Sequence, residues 1–317
     1  MTSSECFPPP LRSRITGSIL ACALGEAAAG SPDASVFGDA TALTLYTVDG
    51  MTEALEWAND GVAADETACL WLAYLRWLGT QGEAPPSSAP APPARWIDRQ
   101  DVLHTRRHSD AASIRALRSG EMGSRQRPLE TDDDGPGALQ RSAPFGLIAN
   151  VPPAMVEKLT LDAAAITHGN PAARIPAALF AGLIHAIAHR ELSLSDAVAD
   201  AAAHAAALGS TDLSVQLTSP DAGALPTASP TAGNILCEAL RLVLATATDD
   251  DAAHVSAFLA AAAEQDAPAA RVTGAVAGAI IGALHGRDAL PAAAIDQLTG
   301  ARAVEELAGR FASEMGA

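Results

Sequence analysis

Two carboxylic acids lie beside predicted helix ends, where a side chain that gives or takes a proton could line a reaction site. Glu26 belongs to the segment GSILACALGEAAAG, residues 17–30, and Asp39 comes just before a helix predicted to begin near Thr41. Each acid also has a structural interpretation. Glu26 can sit at a helix terminus under a loop, and Asp39 can be the N-cap of the helix that follows it. Both alternatives are open at this level.

Glycines and a histidine supply two further candidates. The segment TDDDGPGALQRSAPFG, residues 131–146, contains Gly135 and Gly137, and glycine lets a ligand approach the backbone closely. The motif THGNP contains His168, which either lines a site or bridges helices. His185 and His189 are four residues apart on one predicted helix face, but the glutamate of the zinc motif H-E-x-x-H is absent.

Other catalytic signatures are missing from the sequence. There is no G-x-S-x-G elbow, no phosphate-binding P-loop and no dinucleotide fingerprint. The four cysteines form no C-x-x-C pair, so the sequence suggests neither a zinc site nor a disulfide framework. A basic run extends from Arg95 to Arg107, and its simplest interpretation is a solvated loop.

Composition limits the fold and the partners. The chain has 317 residues, of which 49% are hydrophobic and only 4% aromatic, so its core must be built from small and aliphatic side chains. The formal net charge of −17 argues against nucleic acid and against an anionic membrane as partners. Because we find neither a membrane-spanning apolar stretch nor a signal peptide in the sequence, we expect a cytoplasmic protein.

The segment RVTGAVAGAIIGALHG, residues 271–286, has the strongest helical pattern. Gly274, Gly278 and Gly282 are four residues apart, which places them on one face of a helix. A face with almost no side chains allows another helix backbone to come very close. The pattern therefore predicts a tightly packed core helix.

Helical periodicity continues through most of the chain, and strand signals are nearly absent. We predict a compact all-α domain over residues 13–317, preceded by a disordered leader over 1–12. Loops are expected at 82–93, 120–140 and 218–230, which are rich in proline, serine or glycine. About ten helices are predicted, over 15–29, 41–57, 66–79, 110–119, 155–166, 175–189, 195–208, 234–247, 252–264, 272–284 and 301–313.

Five segments together resemble the ADP-ribosylglycohydrolase family of the dinitrogenase-reductase-activating type. The opening motif G-x-x-x-G-x-A-x-G-D-A-x-G is similar to residues 17–30, with Glu26 replacing its aspartate. The T-D-D-T motif aligns with residues 38–41, where Asp39 and Thr41 remain. The glycine-rich loop is similar to residues 131–146, T-H-x-x-P is intact at 167–171, and the C-terminal glycine-alanine pattern matches up to Gly286.

The resemblance implies an all-α fold and cleavage of the glycosidic bond that joins ADP-ribose to a protein or small molecule. It also implies a pair of magnesium ions that orient the ribose and activate water. By the same resemblance, candidate ligand-binding residues come from the glycine-rich loop and the T-H-x-x-P motif, and these are Gly135, Gly137, Arg141, Thr167 and His168.

Several of the implied metal ligands are replaced. Ala269 and Arg271 stand where the family pattern has two aspartates, and Thr273 follows them. Asp39 and Thr41 survive, but one carboxylate cannot balance two divalent cations in a partly buried site. We therefore expect no cofactor. We hypothesise that the Arg271 guanidinium occupies the vacated metal pocket and pairs with Asp39 or Glu26.

Three functions follow as alternatives. The first is a catalytically inactive or impaired homologue whose metal-free pocket binds ADP-ribose, a related nucleotide or an ADP-ribosylated protein. The second is an active hydrolase that uses Glu26, Asp33 or Asp39 as its acid or base, with magnesium as cofactor. The third is a structural or interaction protein with a plugged pocket. An open cleft beside Asp39, His168 and Arg271 would favour ligand binding.

Overall fold

The computed structural model describes residues 8–29, 35–107, 109–218, 230–265 and 269–317, and all regular structure in these ranges is helical. The α-helices are α1 (Leu11–Ala28), α2 (Asp39–Asn59), α3 (Glu66–Thr80), α4 (Ala111–Arg118), α5 (Ala143–Gly146), α6 (Pro153–Ala165), α7 (Pro171–Arg190), α8 (Leu194–Ala207), α9 (Thr211–Thr218), α10 (Ala232–Ala245), α11 (Asp251–Ala263), α12 (Ala270–His285), α13 (Ala292–Gln297) and α14 (Ala301–Glu314). The prediction of an all-α domain is therefore confirmed.

All the predicted helices are present, and three further helices were not foreseen. The unforeseen ones are short: α5 has four residues, α13 has six and α9 has eight. Their sequences show no extended helical period, because α9 buries only Leu213 and Leu217 and α13 only Ile295. Helix α7 begins at Pro171, earlier than predicted, because the first position of a helix needs no backbone N–H and Asn170 caps it.

Most described residues of the predicted loops are not helical, but α9 ends at Thr218 and so includes the first residue of the loop predicted over 218–230. Residues 82–93 contain no helix, and the segment 120–140 is irregular until a short 3₁₀ turn begins at Leu139. The helix α1 starts at Leu11, so the leader predicted over 1–12 is too long by two residues. The first seven residues of that leader, and positions 219–229 of the third loop, lie outside the described residues.

The closest contact between helices is the crossing of α1 and α12. A Cβ atom added at Gly274 would collide with the backbone of Gly25, and one added at Gly282 would collide with that of Gly17. Beside the contact of Gly282 with Gly17, the Ser18 hydroxyl donates to the Ala279 carbonyl at 2.9 Å. The stripe of small residues thus has the packing role that its spacing predicts, and it fixes Glu26 on α1 relative to Arg271 on α12.

Helix α7 runs through the core. By length and mean hydropathy it is the one helix among the described residues that could cross a membrane. However, 72% of its most apolar stretch is buried inside the fold. A core helix of a globular protein passes the same test. Its apolar side chains, including Phe180 and Ile184, belong to the main hydrophobic cluster.

A buried group of ion pairs fastens α2 to α3. Arg76 on α3 pairs with Asp49 on α2, and both side chains are almost fully buried. Arg95 from the following turn also pairs with Asp49 at 3.0 Å, and Asp98 lies 3.3 Å from Arg76. These charges hold the middle of α2, whose first turn carries Asp39.

Candidate functional site

Glu26 closes the N-terminal end of α2. Its Oε1 accepts the backbone N–H of Ala40 at 3.1 Å, and its Oε2 accepts that of Thr41 at 2.9 Å. The side chain is 2% exposed. Because both oxygens satisfy helix N–H groups that would otherwise lack partners, the carboxylate of Glu26 acts as a remote cap. The sequence could not show this, because the cap comes from another helix.

Asp39 is the first residue of α2 and does not cap it. Its Oδ1 accepts the Ser109 hydroxyl at 3.1 Å, and its Oδ2 accepts the backbone N–H of Asp110 at 3.3 Å. The N-cap interpretation of Asp39 is therefore wrong, because Glu26 performs that task. Burial raises the pKa of Asp39 to about 7, the nearby charge of Glu26 adds to the rise, and the two hydrogen bonds oppose it.

Arg271 lies in the first turn of α12 and reaches the segment that leads into α2. Its Nη2 donates to the Val36 carbonyl at 2.9 Å. A Cβ atom added at Gly38 would lie 3.0 Å from this nitrogen and would collide with Oε1 of Glu26. The guanidinium and the Glu26 carboxylate therefore flank the same glycine. Arg271 forms no ion pair within 4.0 Å with Glu26 or Asp39. Its hydrogen bond to the Val36 carbonyl takes the place of the expected pairing.

The remaining positions of the implied metal site add few ligands. Thr41 is fully buried, with its hydroxyl 3.9 Å from the Cys22 sulfur, and Thr273 is buried in α12. Ala269 precedes α12 as its N-cap residue and offers no oxygen ligand in its side chain. Asp33 lies outside the described residues.

The described side chains at the implied metal positions offer few free oxygen ligands. Both Glu26 oxygens are engaged by backbone amides, and a permanent cation, Arg271, lies beside them. Within the described ranges, no group of three or more His, Cys, Asp or Glu side chains is arranged to hold a metal ion. Magnesium prefers several oxygen ligands in octahedral geometry.

A second group of candidate residues forms a buried hydrogen-bonded chain. Arg141 Nη2 donates to the Thr167 hydroxyl at 2.6 Å, and that hydroxyl lies 2.8 Å from Nδ1 of His168. On the other side of the ring, Nε2 of His168 lies 3.3 Å from Oδ2 of Asp110. Thr167 and His168 are fully buried, and Arg141 is 1% exposed. The three side chains thus form one buried group that contacts Asp110 through His168.

Gly137 and Gly135 shape the loop above this chain. A Cβ atom at Gly137 would lie 2.5 Å from the His168 ring and 2.6 Å from the Asp110 carboxyl, so only glycine fits there. The N–H of Gly135 donates to Oδ1 of Asp133 at 2.9 Å. Asp133 also pairs with Arg115 at 3.4 Å, so part of its negative charge is balanced.

Ser109 and Asp110 link the two groups, and sequence reasoning missed both. Asp110 caps α4 through Ser113 and contacts His168, while its backbone N–H reaches Asp39. Burial alone would raise the pKa of Asp110, but His168 and the Ser113 N–H outweigh burial and hold that pKa well below its usual range. The available signal was an aspartate at the N-cap position of a short predicted helix.

Beside Ser109 opens a cavity of about 420 Å³. Its wall includes the basic residues Arg106, Arg107 and Arg115, together with Gln81, Glu83 and Ile114. Arg107 also lies over the Phe37 ring at 5.2 Å, so part of the basic run is packed against the site. Arg106, by contrast, is largely exposed, as expected for a residue in a solvated loop.

The chain is similar to known proteins in sequence and in fold. The sequence model of the family described as ADP-ribosylglycohydrolase matches residues 8–317, nearly the whole chain. The chain belongs to the ADP-ribosylglycohydrolase family. It is also similar to a solved structure described as "ADP-ribosylglycohydrolase-related protein complex", with a TM-score of 0.63 and 20% identity over 96% of this chain and 99% of the other. At that identity the likeness concerns the fold alone. No curated protein sequence matches significantly.

In this member of the ADP-ribosylglycohydrolase family, the candidate residues form two adjacent groups. The fold brings Glu26, Asp39, Thr41 and Arg271 to the start of α2, and it brings Gly137, Arg141, Thr167 and His168 together around Asp110. Gly135 lies at the edge of the second group, and the contact between Asp110 and Asp39 joins the two. Family membership alone does not decide which chemistry such a site retains.

Proposed function

We propose that this chain is an ADP-ribosylglycohydrolase homologue with lost or strongly impaired hydrolysis, whose metal-free pocket binds ADP-ribose or a related nucleotide. The observation that carries the proposal is the use of Glu26 and Arg271. Both oxygens of Glu26 accept backbone N–H groups, and the Arg271 guanidinium lies beside them. The carboxylate and the cation thus stabilise the entry to α2.

The loss of hydrolysis follows from what a guanidinium can do. It supplies positive charge and several N–H donors, and it pairs with phosphate oxygens in a planar, two-bond geometry. It does not polarise water or a ribose hydroxyl as a Lewis acid does. Arg271 is only partly buried, and we propose that its remaining N–H groups meet an anionic ligand.

Two further features support a nucleotide ligand. The cavity beside Ser109 has room for part of such a molecule, and its three arginines provide positive charge on a chain that is otherwise strongly acidic. Arg106 and Arg115 each have carboxylate neighbours, which reduces that charge without removing it. An ADP-ribosylated protein would present the same ligand group.

Calorimetric titration of the purified chain with ADP-ribose, with and without magnesium, tests this proposal. We expect binding that does not depend on magnesium and that weakens at least tenfold in Arg271→Met, which keeps an unbranched side-chain stem but removes the charged guanidinium. Arg302→Met on α14 is the matched control, and it should bind as the parent does. Binding that requires magnesium would overturn the metal-free pocket.

A second candidate function is favoured by Asp39. Because burial brings the pKa of Asp39 to about 7, this carboxyl group can exchange a proton near neutral pH, as an acid or base catalyst must. Release of ADP-ribose from an ADP-ribosylated protein, stimulated by magnesium and abolished in Asp39→Asn, would establish an active hydrolase.

The third candidate is a structural or interaction protein. Its support is the burial of Thr167, His168 and Arg141, whose polar groups form hydrogen bonds with one another. If ADP-ribose binds neither with nor without magnesium, and no hydrolysis is measured, this candidate replaces the first. For all three candidates we propose a cytoplasmic location.

A further inference from the structure

Three polar side chains form a line at the C-terminal end of α12, far along that helix from Arg271. Oδ1 of Asp251 lies 2.7 Å from Nδ1 of His285, and Nε2 of His285 lies 2.9 Å from Nδ1 of His254. The line ends where Nε2 of His254 meets the Val243 carbonyl at 3.0 Å. It joins α10, α11 and α12. No residue of the candidate site takes part in it.

Counting hydrogens along this line shows that its three contacts are satisfied together only when it holds an added proton. A carbonyl oxygen only accepts, so Nε2 of His254 carries a hydrogen and its Nδ1, in the neutral ring, is an acceptor. Nε2 of His285 must then donate to that acceptor. The carboxylate of Asp251 also only accepts, so Nδ1 of His285 must donate as well. Only an imidazolium at His285, with both nitrogens donating, satisfies the two contacts at once.

Removing that proton breaks one contact whichever form the ring takes. If hydrogen remains on Nε2 of His285, the Nδ1 lone pair faces the Asp251 carboxylate. If hydrogen remains on Nδ1, the Nε2 lone pair faces the lone pair on His254. Two acceptors that face each other at hydrogen-bond distance repel, so the neutral line must open at one joint.

The surroundings set the pH at which this happens. Burial is the largest influence on the pKa of His285 and lowers it, and the charges of His254 and of Arg14 on α1 act in the same direction. Asp251 opposes them by charge and by hydrogen bond. Arg14 is itself held by the Ala283 carbonyl at 2.8 Å, and Glu191 faces it from the end of α7. The pKa of His285 is therefore lowered, and the ring gains its proton at a lower pH than a free histidine side chain would.

We propose that Asp251, His285 and His254 form a pH-sensitive latch between α11 and the end of α12. The latch is closed when the line carries its added proton, and it opens at one joint when that proton is lost. Asp251 is 48% exposed, whereas His285 is 13% exposed and His254 is buried, so the proton enters through Asp251. The latch is independent of the proposed function.

Side-chain ¹⁵N spectra of the full chain, recorded from pH 5 to pH 8.5, test the latch. We expect an imidazolium at His285 in acid, with the His254 nitrogen signals moving in the same transition. In Asp251→Asn the new amide donates a hydrogen to Nδ1, so the neutral His285 ring satisfies every contact. The midpoint of His285 should then fall by about one pH unit or more, which corresponds to a tenfold weaker hold on the proton.

Asp249→Asn is the matched control, because it removes the same charge from an exposed neighbour two residues away. It should leave the midpoint of His285 within a few tenths of a unit. Equal His285 midpoints in the two variants, or His254 nitrogen signals in the parent that do not move in the His285 transition, would overturn the latch. If Asp251→Asn does not fold, His254→Phe gives the same decision: the neutral His285 should then keep its hydrogen on Nδ1, facing Asp251.

Discussion

The Glu26 carboxylate on α1 accepts the backbone N–H of Thr41 on α2 at 2.9 Å, so an acid from one helix caps another. An acid placed this way stabilises the α2 terminus through two hydrogen bonds and through the positive end of the helix dipole. The same placement removes Glu26 from the set of free acids that a hydrolytic site needs.

Glu26→Gln should therefore destabilise the fold by about 1–3 kcal/mol, because the amide nitrogen of glutamine would face an N–H group as a second donor. Urea unfolding measured by circular dichroism checks this. Glu306→Gln, on the exposed surface of α14, is the control and should change stability by less than about 0.5 kcal/mol. Equal effects of the two substitutions would refute the capping role.

The stability of the Asp39→Asn variant relative to the parent should increase as pH rises. The folded-state pKa of Asp39 is raised to about 7, above its usual value, so the folded chain holds this proton more tightly than the unfolded chain. Stability contributed by the protonated group is lost as pH climbs towards 7 and stays lost above it. Relative to the parent, the variant should gain about 1–3 kcal/mol between pH 5 and pH 8.

Thermal or urea unfolding at the two pH values measures that gain. Asp110→Asn should behave in the opposite sense, since the pKa of Asp110 is lowered in the folded state. Its stabilising contribution is present above the usual aspartate pKa and is lost as pH falls, so the variant should be less stable than the parent at pH 7 and closer to it near pH 3. A stability difference for Asp39→Asn that does not change with pH would contradict the assignment.

Asp49→Ala should cost about 3–5 kcal/mol, because it leaves the buried charge of Arg76 without its main partner. Lys158→Ala breaks the exposed pair with Asp162 and should cost less than about 1 kcal/mol. Unfolding free energies of the two variants, measured side by side, give the comparison. A cost for Asp49→Ala no larger than that for Lys158→Ala would mean that the cluster does not anchor α2.

Two glycine substitutions separate close packing from helix propensity. Gly278→Ala places a methyl group against the Ala21 carbonyl, and we expect a loss of about 1–3 kcal/mol. Gly182→Ala in α7 meets nothing within 4 Å and should gain about 0.5–1 kcal/mol, since alanine favours the helix. Melting temperatures should move in opposite directions, and shifts of the same sign would count against the tight crossing.

The sequence was a good guide to the helices and a poor one to the site. Periodic burial along α2, α7 and α12 is a local property, so their existence could be predicted. The partners of Glu26, Asp39 and Arg271 could not, because each contact joins segments far apart in the chain. Ser109 escaped notice for the same reason: its hydroxyl matters only because α2 brings Asp39 within 3.1 Å.

The crossing of α1 and α12 also constrains how the chain folds. Ser18 and Ala279, which are joined by a hydrogen bond in this crossing, are 261 residues apart in sequence. During synthesis α1 therefore waits for its main partner until almost the entire chain has left the ribosome. Contacts of such long range slow folding, and the glycine-lined face of α1 remains exposed in the meantime. We infer that the N-terminal helix is among the last to dock.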